Sequence, residues 1–262
     1  MENMEQRTEQ WFRERLGKIT ASEIFVLMKD RKEPMTEEEL AIWKEANPKS
    51  RVTTKTVPFS DATFTYLNKK VMEHYLPINS KKIEAVFAVD NYIRDHSFTT
   101  KAMDFGTAYE SEAKEAYMQL MGCKVTDVGF INYEKYPQFV GGSPDGLIDD
   151  GIGGVEVKCP FTIEKHLQHM MYTTPQDLKE NDEQYYWQCM SCMLFTDRKY
   201  WDFVSYNPYV VKSKSLKILR IPRNEDEIKL LDERISLAVE YYREQFDKID
   251  SVNTKILNYE QL

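Results

Sequence analysis

GGSPDGLIDDGIGGVEVKCP, residues 141–160, decides how this chain is read. Glu156 and Lys158 interrupt a run of Gly154, Val155, Val157 and Cys159 that otherwise has the character of a buried strand. Side chains alternate along a strand, so Glu156 and Lys158 share one face while Val155, Val157 and Cys159 pack on the other. Same-face neighbours are roughly 6.6 Å apart at the backbone, close enough for both tips to meet one ligand. Asp145 lies eleven residues before Glu156, across a DDGIG turn of hairpin type, so its carboxylate returns to the same place. Pro144 fixes the backbone before Asp145, and Gly146 allows a sharp turn after it.

Two converging carboxylates bind a hard divalent cation, and an octahedral oxygen site with waters is what Mg²⁺ prefers. The carbonyl of Val157, between them, is a third protein oxygen. A lysine beside such a site can orient or deprotonate a water. That assembly suits hydrolysis of a phosphodiester, in which charge grows on the phosphate oxygens. An edge strand with a solvated Glu/Lys pair has the same local sequence, so other elements must decide. Glu110 on a preceding helix, Gln184 and Gln188 on a following one, and an N-terminal helix bearing arginine favour catalysis.

The 262 residues are enough to bury a proper core, and 42% hydrophobic with 30% charged residues is ordinary for a globular protein. No apolar run approaches the roughly 20 residues of a membrane span, and the polar N-terminus is unlike a secretory signal. Four cysteines, Cys123, Cys159, Cys189 and Cys192, do not read as a disulfide framework, which points to a reducing cytoplasm, bacterial or of a phage-infected host. A net charge of −8 argues against a broadly basic DNA-binding surface. A carboxylate site itself adds negative charge, however, and local stripes such as Lys69-Lys70 or Lys212, Lys214 and Lys217 can still track a phosphate backbone.

Thr8 caps a first helix that runs through Trp11 and Arg15 to Gly17, and ITASEIFVLM (19–28) reads as a second helix. Residues 30–60 carry three prolines and no steady period, and read as a loop-rich insertion with a short helix at 36–46. Helices follow at 61–75 and 102–121. Strands are expected at 124–133, 138–143, 147–148, 154–159, 201–207 and 216–222, with a helix at 183–195. The last helix starts at Asn224, with Glu227 as a capping-box partner. The pattern is a single α/β domain over 1–262: an insertion at 30–100, a catalytic core at 102–222 and a C-terminal helix at 224–250.

The spacing S-P-D-G-L-x(8)-E-x-K-C-P-F resembles the nuclease motif of phage lambda exonuclease-like viral recombinases, within the PD-(D/E)xK superfamily. WFRERLGKITASEI (11–24), AMDFGTAYESEAKEAY (102–117) and YYWQCMSCMLFTDRKYWDFVSYNP (185–208) resemble other blocks of that family, in the right order. The resemblance implies a restriction-endonuclease-like fold: a mixed central β-sheet flanked by helices, with an N-terminal helical elaboration. It implies that Asp145 and Glu156, with the Val157 carbonyl, hold metal, that Lys158 positions the nucleophilic water, and that Glu110 completes a second metal site. The resemblance further implies that Gln188 supports the site and that Arg15, Ser22 and Ser143 capture a terminal 5′-phosphate. Two Mg²⁺ ions are implied, with Mn²⁺ as a substitute. The implied partners are double-stranded DNA ends, further copies of the chain in a ring-shaped trimer, and a single-strand annealing protein, with no membrane. The activity implied is a 5′→3′ exonuclease that leaves a 3′ single strand for phage-type recombination. A structure-specific or single-strand nuclease of the same superfamily, or a catalytically dead DNA-binding scaffold, are the alternatives.

Cys189 and Cys192 are expected in the core rather than on an iron–sulfur cluster, since the other two cysteines do not cluster with them. His166 and His169, three apart on a helix, read as surface histidines, and Tyr185, Tyr186 and Trp187 as core.

Overall fold

The computed structural model describes residues 8–78, 80–96 and 99–252. Its centre is the stretch quoted above. Gly146–Ile148 (here β7) and Gly153–Lys158 (β8) form the antiparallel hairpin, and β8 runs parallel to Tyr200–Tyr206 (β9). Val125–Thr126 (β4) extends this sheet at one edge and Leu216–Pro222 (β10) at the other, both antiparallel, giving the order β10-β9-β8-β7-β4. The sheet is mixed, as the restriction-endonuclease-like reading requires. Lys101–Met121 (α5) covers one face, where Phe105, Ala113 and Tyr117 bury Val155, Val157 and Cys159. On the other face Glu183–Thr196 (α8) and Glu225–Ser251 (α9) enclose Trp201, Phe203 and Ile221.

The N-terminal helix, Glu9–Arg15 (α1), is capped by the Thr8 side chain as expected. The next segment corrects the sequence reading. Ile19–Thr20 (β1) is a strand, parallel to Val140–Gly142 (β6), which also pairs with Ile131–Asn132 (β5). Only Ile24–Met28 winds, as a 3₁₀ helix. Ile19 and Thr20 are fully buried β-branched residues, and the Ile19 and Ala21 N–H groups donate to the Phe139 and Gly141 carbonyls, so sheet pairing overrides the local helical pattern. This junction is tight: a Cβ on Gly141 would come within 2.6 Å of the Ile131 carbonyl, and one on Gly142 within 2.6 Å of the Ala21 Cβ. The β6 strand then leads through Ser143 and Pro144 into Asp145.

Residues 30–100 hold more structure than expected. Asp30–Pro34 (β2) and Thr54–Pro58 (β3) pair as an antiparallel ribbon around the foreseen short helix, Glu37–Ala46 (α2). The foreseen Asp61–Glu73 (α3) is followed by a further helix, Ile83–His96 (α4). Ile163–Met170 (α6) carries the two histidines, and Pro175–Asn181 (α7) was not anticipated. Asn224 caps α9 through the Asp226 and Glu227 N–H groups, while the Glu227 carboxylate pairs with Lys179.

The histidines are the second correction. His166 and His169 are buried, not on the surface, and both Nδ1 atoms lie against Ser205 Oγ, at 2.9 and 2.8 Å. His166 Nε2 donates to the Lys214 carbonyl, so its Nδ1 accepts from Ser205 when the ring is neutral. Cys189 and Cys192 are buried in the core beside Trp187, as expected. Among the described residues no helix is long and apolar enough to cross a membrane.

Candidate active site

Hairpin register sets Asp145 opposite Glu156, because Gly146 pairs with Val155. Asp145 Oδ2 accepts the Val157 N–H at 2.7 Å, which locks the carboxylate onto β8. Glu156 is wholly buried, and its Oε1 accepts from Lys158 Nζ at 2.5 Å. The ammonium also lies 5.0 Å above the Tyr185 ring. Burial, and then the charge of Asp145, push the Glu156 carboxyl up to about 8. Asp145 is likewise raised by burial, with Lys158 opposing and Glu110 adding to the rise. Burial works against the Lys158 charge, but Glu156 and Asp145 overcome it and hold the ammonium above its ordinary range. In this state Lys158 is a charged donor rather than a base.

Asp145, Val157 and Lys158 open onto a cleft of about 1070 Å³ that Glu110 and Arg15 also line. Glu110 stands one turn before Lys114 on α5. Lys114 Nζ lies 2.9 Å from Glu110 and 2.8 Å from Asp127. That i,i+4 pair was visible in the sequence and was not read. In the same cleft the Arg15 guanidinium lies 4.3 Å from the Trp11 ring centroid and donates to Ser22 Oγ at 3.1 Å and Thr20 Oγ1 at 3.3 Å. Among the described residues no carboxylate is within ion-pairing distance of it. Glu14 pairs instead with Lys18, and Glu23 with Lys70.

Ser143, Ser22 and Gln188 do not contribute to the lining. Ser143 accepts the Trp11 indole N–H at 2.8 Å, and Gln188 is buried on α8, the helix packed beneath β8. Tyr186 and Trp187 are core, whereas Tyr185 reaches the cleft beside Lys165. Lys70, named from the sequence only within the Lys69-Lys70 stripe, lies in the same wall with Glu73 and Tyr92, which sequence reasoning did not find.

Among the described residues no group of three or more histidine, cysteine or carboxylate side chains is gathered closely enough to hold an ion as they stand. The donor chemistry nonetheless fits a hard cation. Burial raises both acids, Asp145 adds to the rise at Glu156, and Glu156 Oε2 is a buried oxygen with no hydrogen-bond partner among the described residues. Such an atom is costly unless a cation or proton satisfies it.

Residues 10–199, from the Arg15 helix through the hairpin to α8, match the YqaJ-like viral recombinase domain. The chain belongs to that family. It is a deoxyribonuclease of viral-type recombination, in the group that includes the lambda exonuclease-like enzymes. No curated protein matches it. Its fold resembles that of an alkaline exonuclease from Laribacter hongkongensis, with 23% identity, a TM-score of 0.65, and 93% of this chain and 97% of that one covered. It also resembles a phage-related exonuclease from Haemophilus somnus 129PT, with 14% identity, a TM-score of 0.59, and 88% and 96% covered. These likenesses concern the fold. The YqaJ-like match additionally spans every residue assigned above to the site.

Proposed function

We propose that this nuclease is a divalent-metal-dependent exonuclease that degrades one strand of linear duplex DNA from its 5′ end and leaves a 3′ single strand. The observation that carries this reading is that Arg15 and the Asp145, Val157 and Lys158 group line one continuous cleft. A terminus gripped by Arg15 in such a cleft would present the adjoining phosphodiester to the acid–lysine group.

Asp145, Glu156 and the Val157 carbonyl would hold Mg²⁺, and Glu110 would serve a second ion. Bound there, divalent ions lower the pKa of water and neutralise the charge that grows on the phosphate. The chain supplies the rest. Asp145 is kept in place by the Val157 N–H, and Gln188 and its helix support β8 from below. The Lys158 ammonium orients the attacking water and balances the negative phosphate, since its protons are donors within reach of the scissile group. Arg15, stacked on Trp11 and donating to Ser22, presents a guanidinium fork to the 5′-phosphate, and the Ser143 hydroxyl fixes Trp11 beneath it.

The Laribacter exonuclease has been solved in complex with dAMP, a nucleoside monophosphate, which agrees with a cleft of this kind. A ring-shaped trimer around the DNA and a single-strand annealing partner complete the reading by family resemblance.

The test is digestion of linear duplex with 5′-phosphate or 5′-hydroxyl ends, in Mg²⁺ or EDTA, beside a closed circle. Expected are degradation of the linear substrates in Mg²⁺ only, preference for the phosphorylated end, and an intact circle. Cutting of the circle would show an endonuclease instead.

A further inference from the structure

The segment 30–100 sends a buried lysine into the cleft. Lys70 on α3 is only 6% exposed, yet it lines the same cleft as Arg15. We propose that Lys70 is a second cation of the 5′-phosphate pocket, acting with Arg15 to select a terminal phosphate monoester over an internal diester. The inference rests on the end-capture reading above.

The geometry separates pinned acids from loosely held cations. Lys70 Nζ lies 3.4 Å from Glu23 Oε2 and 3.4 Å from Glu73 Oε2. Tight ammonium–carboxylate bonds are nearer about 2.7–2.9 Å, so neither acid closes on it. Both acids are held by other donors. Glu73 accepts the Gly17 N–H at 2.9 Å and the Tyr92 hydroxyl at 3.1 Å, and Glu23 accepts the Thr20 hydroxyl at 2.9 Å. Arg15 faces the same Glu23 and Glu73, with Tyr66 beside both cations, and its own bonds go to neutral hydroxyls. Two cationic heads can therefore turn to an incoming anion while the acids stay anchored to backbone and hydroxyls.

The chemistry of the anion supplies the selectivity. A terminal phosphate monoester carries about −1.5 to −2 at pH 7, because its second pKa is near 6. An internal diester carries one negative charge. Two cations sharing one phosphate match the dianion and are in excess for the diester. The competing role for Lys70 is an ion bridge tying α3 to Glu23. That role predicts lost stability and an unchanged choice of end.

Binding in EDTA, where hydrolysis is absent, tests this on the full-length protein. Fluorescence anisotropy would compare matched duplexes ending in 5′-phosphate, 5′-hydroxyl or 5′-methylphosphate. The wild-type protein should prefer the free phosphate to both others. Lys70→Met should lower the phosphate-to-hydroxyl affinity ratio about tenfold, the scale of one charge-assisted hydrogen bond, and Lys70→Arg should retain it. A folded Lys70→Met protein with the wild-type ratio overturns the proposal. So does a methylphosphate duplex that binds wild type as tightly as the free phosphate, a result that needs no variant to fold. A preference lost in Arg15→Ala but unmoved in Lys70→Met refutes the lysine role alone, whereas no preference in wild type refutes end capture itself.

Discussion

The Trp11 indole N–H and the Ser143 hydroxyl, 2.8 Å apart, join the first helix to the turn that delivers Asp145. Arg15 lies over the same indole ring, so its position is tied to the hairpin that carries Asp145 and Glu156 rather than to a free-standing helix. Arg15→Ala should therefore remove the preference for 5′-phosphorylated ends and shorten processive runs while leaving the metal site intact. Initial rates on duplexes that differ only in that phosphate check this. A mutant with the wild-type ratio would remove Arg15 from the end-binding role.

Asp145→Ala, Glu156→Ala and Lys158→Ala should each lower turnover by two or more orders of magnitude, about 3 kcal/mol of barrier. Lys158→Ala should still bind duplex. Near-normal digestion by that variant in Mg²⁺ would show that the ammonium paired with Glu156 takes no part in the chemistry.

Metal binding has a readout independent of activity. On the proposed reading, Mg²⁺ at about ten times its Kd should stabilise the folded state by roughly 1.4 kcal/mol, or about 3–5 °C in Tm for a domain of this size. Wild type should show that rise over EDTA in a calorimetric scan. Glu156→Gln, which replaces the orphaned carboxylate oxygen by an amide, should show little or none. Equal shifts in the two proteins would place the ion elsewhere.

Affinity for duplex DNA should fall with salt despite the net charge of −8. Each neutralised phosphate contributes about −0.9 to the slope of log K against log salt concentration. A slope near zero in an EDTA titration would mean that the cleft does not track a phosphate backbone.

Burial depresses the His166 pKa below its ordinary 6.5, assisted by the neighbouring His169 and opposed by the bond to the Lys214 carbonyl. The unfolded chain then binds more protons than the folded one in the window from 6.5 down to the folded value. Stability should fall as pH drops through that window. Urea midpoints at pH 7.5 and 5.5 measure the loss, and the His166 ring resonances should titrate below 6.5. Resonances that titrate at or above 6.5 would contradict the buried neutral ring.

The hairpin was legible because alternation is a local property. Val155, Val157 and Cys159 marked one face of β8, so Glu156 and Lys158 had to share the other. Glu110 and Arg15 were legible through family blocks and helical spacing. What failed to show were partners supplied from far along the chain. Ile19 and Thr20 fit a helix until β6 offers them a sheet edge, and His166 and His169 read as solvated until Ser205 closes over them. Lys70 read only as part of a Lys69-Lys70 surface stripe, since its pairing with Glu23, far back in the chain, is not revealed by its own helix. The β2–β3 ribbon, mostly polar on both faces, carries little alternation to detect.

The close packing at Gly141 and Gly142 bears on how tolerance to substitution would map onto this protein. Neither glycine has a side chain to offer a substrate, yet a Cβ at Gly141 would collide with Phe130 and Ile131 on the β5 side, and one at Gly142 with Ala21 beside β1, each displacing the strand that feeds Asp145 from a neighbour. A saturation scan scored by nuclease activity should therefore rank these two positions alongside Asp145 and Glu156. A sensitivity map taken at face value would overcount the chemical residues by including a steric hinge-pin that only aligns them.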